Sequence, residues 1–336
     1  MPIIIHGVSR QKEFKKPDGT SYLTFSSPSS FTLAVYNATK GWDGTLEYYN
    51  NGVWTTWDGI TTLSSEQYYD NYVLYLRGTG NTVIISDGYS WVLTGSDISC
   101  TGNIETLLDY AAVEAGNHPT MGYYCYYYMF QDCISLTQAP ALPATTLAKD
   151  CYRDMFCGCT SLTQAPVLPA TTLAEDCYHS MFYNCTSLTQ APVLPATTLA
   201  INCYDSMFYN CTSLKLSSTK TDEYTQSYAI PFSGTGTTAM NALSDMFTST
   251  GGTFTGTPEI NTTYYLSSDN MIVRDNDVAT LNGYVGSMIE NANIMQKADS
   301  FTENDIVVFD ANGNAADSNM KFVLNDDSSL TLQITV

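Results

Sequence analysis

Cysteine is the residue whose number and spacing in this chain could do chemistry. Eight of the ten fall in two registers, Cys125, Cys151, Cys177 and Cys203, and Cys133, Cys159, Cys185 and Cys211, each with a step of 26 residues. Thiols in such rows can oxidise to disulfides, bind zinc together with histidine, or pack as small buried hydrophobes. His179 is the only histidine inside the array and cannot serve every unit, so packing is the expected role. His6, His118 and His179 lie far apart and no Ser, Cys or carboxylate partner motif accompanies them. No glycine-rich phosphate loop occurs, and Asp305, Asp310, Asn312, Asn314 and Asp317 gather oxygen ligands without the spacing of a calcium loop. The chain is therefore expected to be no enzyme and to carry neither metal nor cofactor.

What must position the cysteines is a repeat. Met129-Phe130, Met155-Phe156, Met181-Phe182 and Met207-Phe208 keep the same 26-residue step, as do Leu136, Leu162, Leu188 and Leu214. Within the unit from Cys177 to Asn202, the positions of Leu173, Cys177 and Met181 or Phe182 suit one face of a short helix. Leu188 to Ala191 then reads as a short strand ended by Pro192. Each unit is too small to fold alone, so neighbours must stack and turn equivalent side chains into ladders. A degenerate fifth unit is expected at Ala242 to Thr250, after an insertion over 215–239. At the other end Ile104 to Ala115 reads as an amphipathic capping helix.

The copies differ at a few places. On the helical reading, Arg153, Asp154, His179, Ser180, Tyr183, Asp205, Ser206 and Tyr209 lie on the face opposite the ladder. Such a face is either free to drift or contacts a ligand, and the repeated Gln138, Gln164 and Gln190 form a rival polar strip. Leu-Pro-Ala-Thr-Thr at 142, 168 and 194 imitates a sorting signal, but it is internal, repeated and without the final glycine.

The run Cys-Tyr-x-x-Met-Phe-x-x-Cys-Thr-Ser-Leu, followed by Leu-Pro, resembles the BspA-type leucine-rich repeat over residues 121 to about 214. It departs from that family in placing Cys-Tyr where a small residue is usual and Thr-Gln-Ala-Pro in the strand. Members are typically surface adhesins or interaction proteins, so the resemblance implies binding to a host-surface protein or glycan.

The flanks have other periods. Residues 20–95 alternate apolar and polar side chains between turn signals, which predicts an antiparallel β-sandwich. One hairpin is expected around Asn50-Asn51-Gly52 and another around Gly78-Thr79-Gly80-Asn81. Trp42, Trp54, Trp57 and Trp91 are assigned to the core ahead of a sugar-stacking surface. Beyond the repeats, Val278, Leu281, Val285, Met288, Ala292 and Met295 step by three and four, as the a and d positions of a coiled coil do. Either self-association or packing against the last repeat would bury that stripe. The segment from Asp305 to Ser318, with Asp310-Ala-Asn-Gly-Asn314 inside it, is similar to one that follows coiled coils in phage head-fibre and related virion appendage proteins. That resemblance implies a homotrimer attached to a capsid or other virion protein.

Composition narrows the partners. With 13 Lys plus Arg against 33 Asp plus Glu the net charge is −20, which argues against a phosphate backbone as partner. No run approaches the roughly 18 apolar residues needed to span a bilayer. The opening Met-Pro-Ile-Ile-Ile-His lacks the features of a secretion signal. The expectation is a virion protein assembled in the cytoplasm of an infected bacterium, with a bacterial cell-surface adhesin as the alternative. The expected class is multi-domain α+β: an N-terminal β-sandwich over 1–99, a leucine-rich-repeat solenoid over 100–262, a coiled-coil stalk over 263–299 and a small β tip over 300–336.

Overall fold

The computed structural model describes residues 17, 22–38, 40–85, 90–273, 320–324 and 330–334. The protein is mostly β, with one α-helix among the described residues. The N-terminal strands are β1 (Leu23–Ser27), β2 (Thr32–Val35), β3 (Thr45–Asn50), β4 (Val53–Thr56), β5 (Leu63–Ser64), β6 (Glu66–Tyr68), β7 (Asn71–Thr79), β8 (Trp91–Thr94) and β9 (Ile98–Thr101). The helix α1 follows at Thr106–Glu114, then β10 at Leu136–Gln138. A seven-stranded sheet runs in the order β10-β9-β1-β7-β3-β4 with β6 also on β7, and β5-β2-β8 form a second sheet. Alternation drives both: in β1, Leu23, Phe25 and Ser27 point inward while Thr24 and Ser26 are half-exposed.

The β3–β4 hairpin turns through Asn51 and Gly52, at φ of 52° and 86°, the two positive angles that an Asn-Gly turn supplies. The second expected hairpin is not found among the described residues. Gly78 and Thr79 continue strand β7, and a Cβ on Gly78 would lie 1.7 Å from the Leu107 carbonyl oxygen. This glycine allows α1 to approach the sheet rather than turning the chain. Trp42, Trp57 and Trp91 are buried, and Trp54 lies half-buried beneath the Arg77 guanidinium at 4.2 Å.

The repeats stack, but not as helix plus strand. Alternate N–H groups of a unit bond within it and the others bond to the next unit. Thus Met181 N–H meets Tyr178 O and Tyr183 N–H meets Ser180 O, whereas Tyr178, Ser180, Phe182 and Asn184 donate to Cys203, Asp205, Met207 and Tyr209. A helix would send every one of these groups to the carbonyl four residues back. Every fourth residue is left-handed: Asp150, Asp154 and Gly158, then Asp176, Ser180 and Asn184, then Asn202, Ser206 and Asn210, all with φ between 51° and 76°. Seven of these nine are Asp, Asn or Gly, the types that tolerate this conformation; Ser180 and Ser206, and Tyr124 and Tyr128 of the first unit, adopt it as well. The apolar spacing of four that suggested a helix is the spacing of these turns.

The expected continuous strand face is absent as well. β10 leaves the array to pair with β9, and β11 (Gln190–Pro192) pairs with β16 (Met271–Val273). Between the second and third units only an isolated bridge, Gln164 to Gln190, remains. The α+β leucine-rich-repeat solenoid is thus overturned: the units form a stack of turns without helices and without a closed solenoid.

After the fourth unit come β12 (Lys215–Ser217), β13 (Tyr224–Ile230), β14 (Gly251–Gly252) and β15 (Thr262–Ser267), a sheet in the order β13-β15-β12-β14. A fifth unit, Ala242 to Thr250, completes the stack, and Phe247 lies parallel to Phe208 at 5.6 Å. The stripe from Val278 to Met295 falls outside the described residues, and the expected coiled-coil helix has no support. The final hairpin, β17 (Met320–Leu324) with β18 (Leu330–Ile334), is antiparallel, pairing Met320 with Ile334.

Candidate functional site

The core of the stack explains its cysteines. All ten are free thiols, and the eight of the array are buried. Cys159, Cys185 and Cys211 donate Sγ–H to the carbonyls of Phe130, Phe156 and Phe182 in the preceding unit at 3.0–3.1 Å. Burial pushes these thiols well up from their ordinary range, so they stay protonated and unreactive. Beside them Phe130, Phe156, Phe182 and Phe208 stack within 7° of parallel at 5.5–5.7 Å, and Tyr126, Tyr152, Tyr178 and Tyr204 do the same at 5.5–5.9 Å. Among the described residues no group of three His, Cys, Asp or Glu side chains is placed to hold a metal, and no helix is long and apolar enough to cross a membrane.

The stack begins in the N-terminal sheets. Trp91 N–H donates to Met129 O at 2.8 Å, and Cys133 Sγ donates to Trp91 O at 3.2 Å. These are the two bonds that a phenylalanine makes in the array, so Trp91 stands where a preceding unit would place its Phe. The buried apolar core is accordingly continuous from Leu23 to Leu266.

The variable positions divide into three environments. Asp154, Ser180 and Ser206 occupy left-handed positions, at φ of 53°, 51° and 54°, and the first two are buried. They serve the turns before any ligand. Arg153 and His179 form a charge cluster with two residues that sequence reading passed over, Asp150 and Asp176. The Arg153 guanidinium lies 3.2 Å from Asp150, 3.4 Å from Asp154 and 3.6 Å from Asp176, and 5.7 Å from the Tyr127 ring centroid. His179 Nδ1 lies 3.6 Å from Asp176. Burial pushes the Asp154 carboxyl up to about 6 although Arg153 pulls it down, and burial with Arg153 lowers His179. Asp150 is raised by burial too.

Tyr183 and Tyr209 make the third environment, a separate pair, Tyr183 exposed and Tyr209 half-buried, whose rings lie 4.8 Å apart and 6° from parallel. Asp205, half-buried, accepts from its neighbour Ser206 at 2.9 Å. The variable positions thus give a stacked tyrosine pair and, apart from it, a compensated charge cluster. The signal for Asp150 and Asp176 was present in the sequence: they stand four residues before Asp154 and Ser180, in the Asp, Asn, Ser and Gly series of the turns. The rival strip is unequal, with Gln138 and Gln164 exposed and Gln190 drawn into β11. Compared with known proteins, the chain matches no family model, no curated protein and no solved structure.

Proposed function

We propose that the chain is a non-catalytic display protein whose repeat stack presents a binding strip, carried on a virion as a fibre or other appendage. The observation that carries the binding half is the split between identical and variable residues. Cysteine, tyrosine, methionine and phenylalanine are the same in four successive units and buried, while of the residues that differ Arg153, His179, Tyr183, Asp205 and Tyr209 make a partly exposed strip, Asp154 and Ser180 being buried in the turns. A stack held by backbone bonds between units presents such a strip rigidly, so a partner loses little affinity to ordering it. The partly exposed Tyr183–Tyr209 stack offers aromatic edges and phenol hydroxyls, suited to a host-surface protein or glycan. The net charge of −20 disfavours nucleic acid as that partner.

The virion half, and with it a homotrimer, rests on the likeness of residues 305–318 to phage appendage segments. Two measurements test the reading. Purified chain is exposed to a panel of bacterial cells and extracted surface polysaccharides, beside a Tyr183→Ser, Tyr209→Ser variant. Retention that the variant loses supports the strip, and failure to bind any surface overturns it. Light scattering should give about three times the 36.9-kDa chain mass, and a persistent monomer removes the trimer.

A further inference from the structure

The threonine turns of the stack cover one another: Thr146 bridges Thr172 in the next unit, and Thr198 bridges Thr237. No bridge among the described residues covers the other side of the first turn. There Thr145 and Thr146 share a cleft of about 340 Å³ with Glu105 and the segment from His118 to Met121.

Glu105 is unusual in this setting. It stands immediately before α1, and its side chain makes no capping bond there. Instead its side chain is only 2% exposed, and Oε2 pairs with His118 Nδ1 at 2.7 Å. No other hydrogen bond to the carboxylate exists among the described residues, so Oε1 is left as an acceptor without a protein donor. Burial raises this carboxyl, against the pull of His118. Oε1 is not one of the buried side-chain atoms left without a partner, so it opens on the cleft, where a donor can reach it.

The surroundings select the guest. An anion would meet the carboxylate. A cation would have to share the carboxylate with the His118 imidazole, which already holds Oε2. A neutral guest with hydroxyls suits every wall: Oε1 accepts, the second imidazole nitrogen accepts or donates according to its protonation, and the Thr120 and Thr145 hydroxyls do both. Met121 and Leu147 add apolar surface. The volume lies near the small end of the range for ligand sites, roughly 300–1,000 Å³.

We propose that this cleft is a subsite for one sugar residue, with Glu105 and His118 taking neighbouring hydroxyls and Met121 and Leu147 taking a C–H face of the ring. The proposal rests on the binding function above and gives it a second location, away from the tyrosine strip.

The test uses the full chain with isotopically labelled methionine methyl groups, the Met121 signal being assigned with Met121→Leu. It is titrated to millimolar concentration with the methyl glycosides of glucose, galactose, mannose and N-acetylglucosamine, and separately with butylammonium. At least one glycoside should shift Met121 saturably, about ten- to a hundredfold more weakly in Glu105→Gln, and butylammonium should not. Thr145→Trp, an exposed position at the cleft, should abolish the shift if Glu105→Gln does not fold. A still Met121 with all four glycosides, a response to butylammonium instead, or unchanged binding in a folded variant overturns the subsite. If the chain nevertheless binds cells or polysaccharide through Tyr183 and Tyr209, the binding function stands and only this subsite falls.

Discussion

The N-terminal sheets and the repeat stack share one core yet are built on opposite rules. In the sheets no contact is a copy of the next: Phe25 meets Trp91 and Phe130 at 6.1 Å, and Trp42 leans on Trp57 at 5.1 Å. In the stack each side chain meets its own copy one unit away, Phe on Phe and Tyr on Tyr. Unlike contacts must be shaped one at a time, so a single close approach can be indispensable. Like contacts are shaped once and used four times, so loss at one rung is felt by its two neighbours and little beyond.

The sheets should break hardest at one atom. Gly78→Ala places a Cβ 1.7 Å from Leu107 O, a backbone atom that cannot yield, and should cost more than about 4 kcal/mol by urea unfolding. Wild-type stability in that variant would mean that α1 can leave the sheet. In the stack, Phe182→Ala should cost about 3–4 kcal/mol. Its pairing with Phe156→Ala should be non-additive because the rings touch, whereas its pairing with Leu33→Ala should add within about 0.5 kcal/mol. Additivity for both pairs would deny the ladder.

The turns give a smaller effect. Asn184, at φ of 61°, accepts from Asn210 Nδ2 at 2.7 Å. Asn184→Ala should therefore lose about 1–2 kcal/mol from the strained conformation and the bond. Asn184→Gly should lose distinctly less, because glycine tolerates that angle. A helix would reverse the order, since alanine is the better helix former.

The smallest effect depends on pH. Asp154, raised from 3.8 to about 6, binds its proton more tightly in the fold than in the unfolded chain. Its contribution favours folding below the lower value and is lost as pH rises through the upper one. Asp154→Asn keeps the left-handed preference and removes the charge, so at pH about 7.5 it should stabilise by about 1 kcal/mol, seen as a higher melting temperature. The gain should fade by pH about 4; an equal gain at both would place the effect in the side-chain exchange itself.

How much was legible beforehand follows from particular residues. The step of 26 in Cys, Met, Phe and Leu showed the number of units, their stacking and the inward side chains, because identical residues at a fixed spacing gain only by meeting each other. The fifth unit was legible in Leu243, Met246 and Phe247. The helices were misread because an apolar step of four also suits a chain that turns left-handed at every fourth residue. The eight variable residues were read as one face on that account, although Asp154 and Ser180 are buried turn residues and Tyr183 with Tyr209 stands apart. The Glu105–His118 pair gave no signal, since 13 residues of sequence separate its members and only α1 brings them together.

Sequence alone determined which side chains form the ladders, since that depends only on repetition and on the cost of exposing them. Tertiary structure decided where the backbone N–H groups go. A coil finds a partner carbonyl in the next coil only once that coil is there, and an isolated unit has no such choice. The same dependence placed Trp91 as the rung before the first unit and left the first threonine turn beside a cleft instead of another coil.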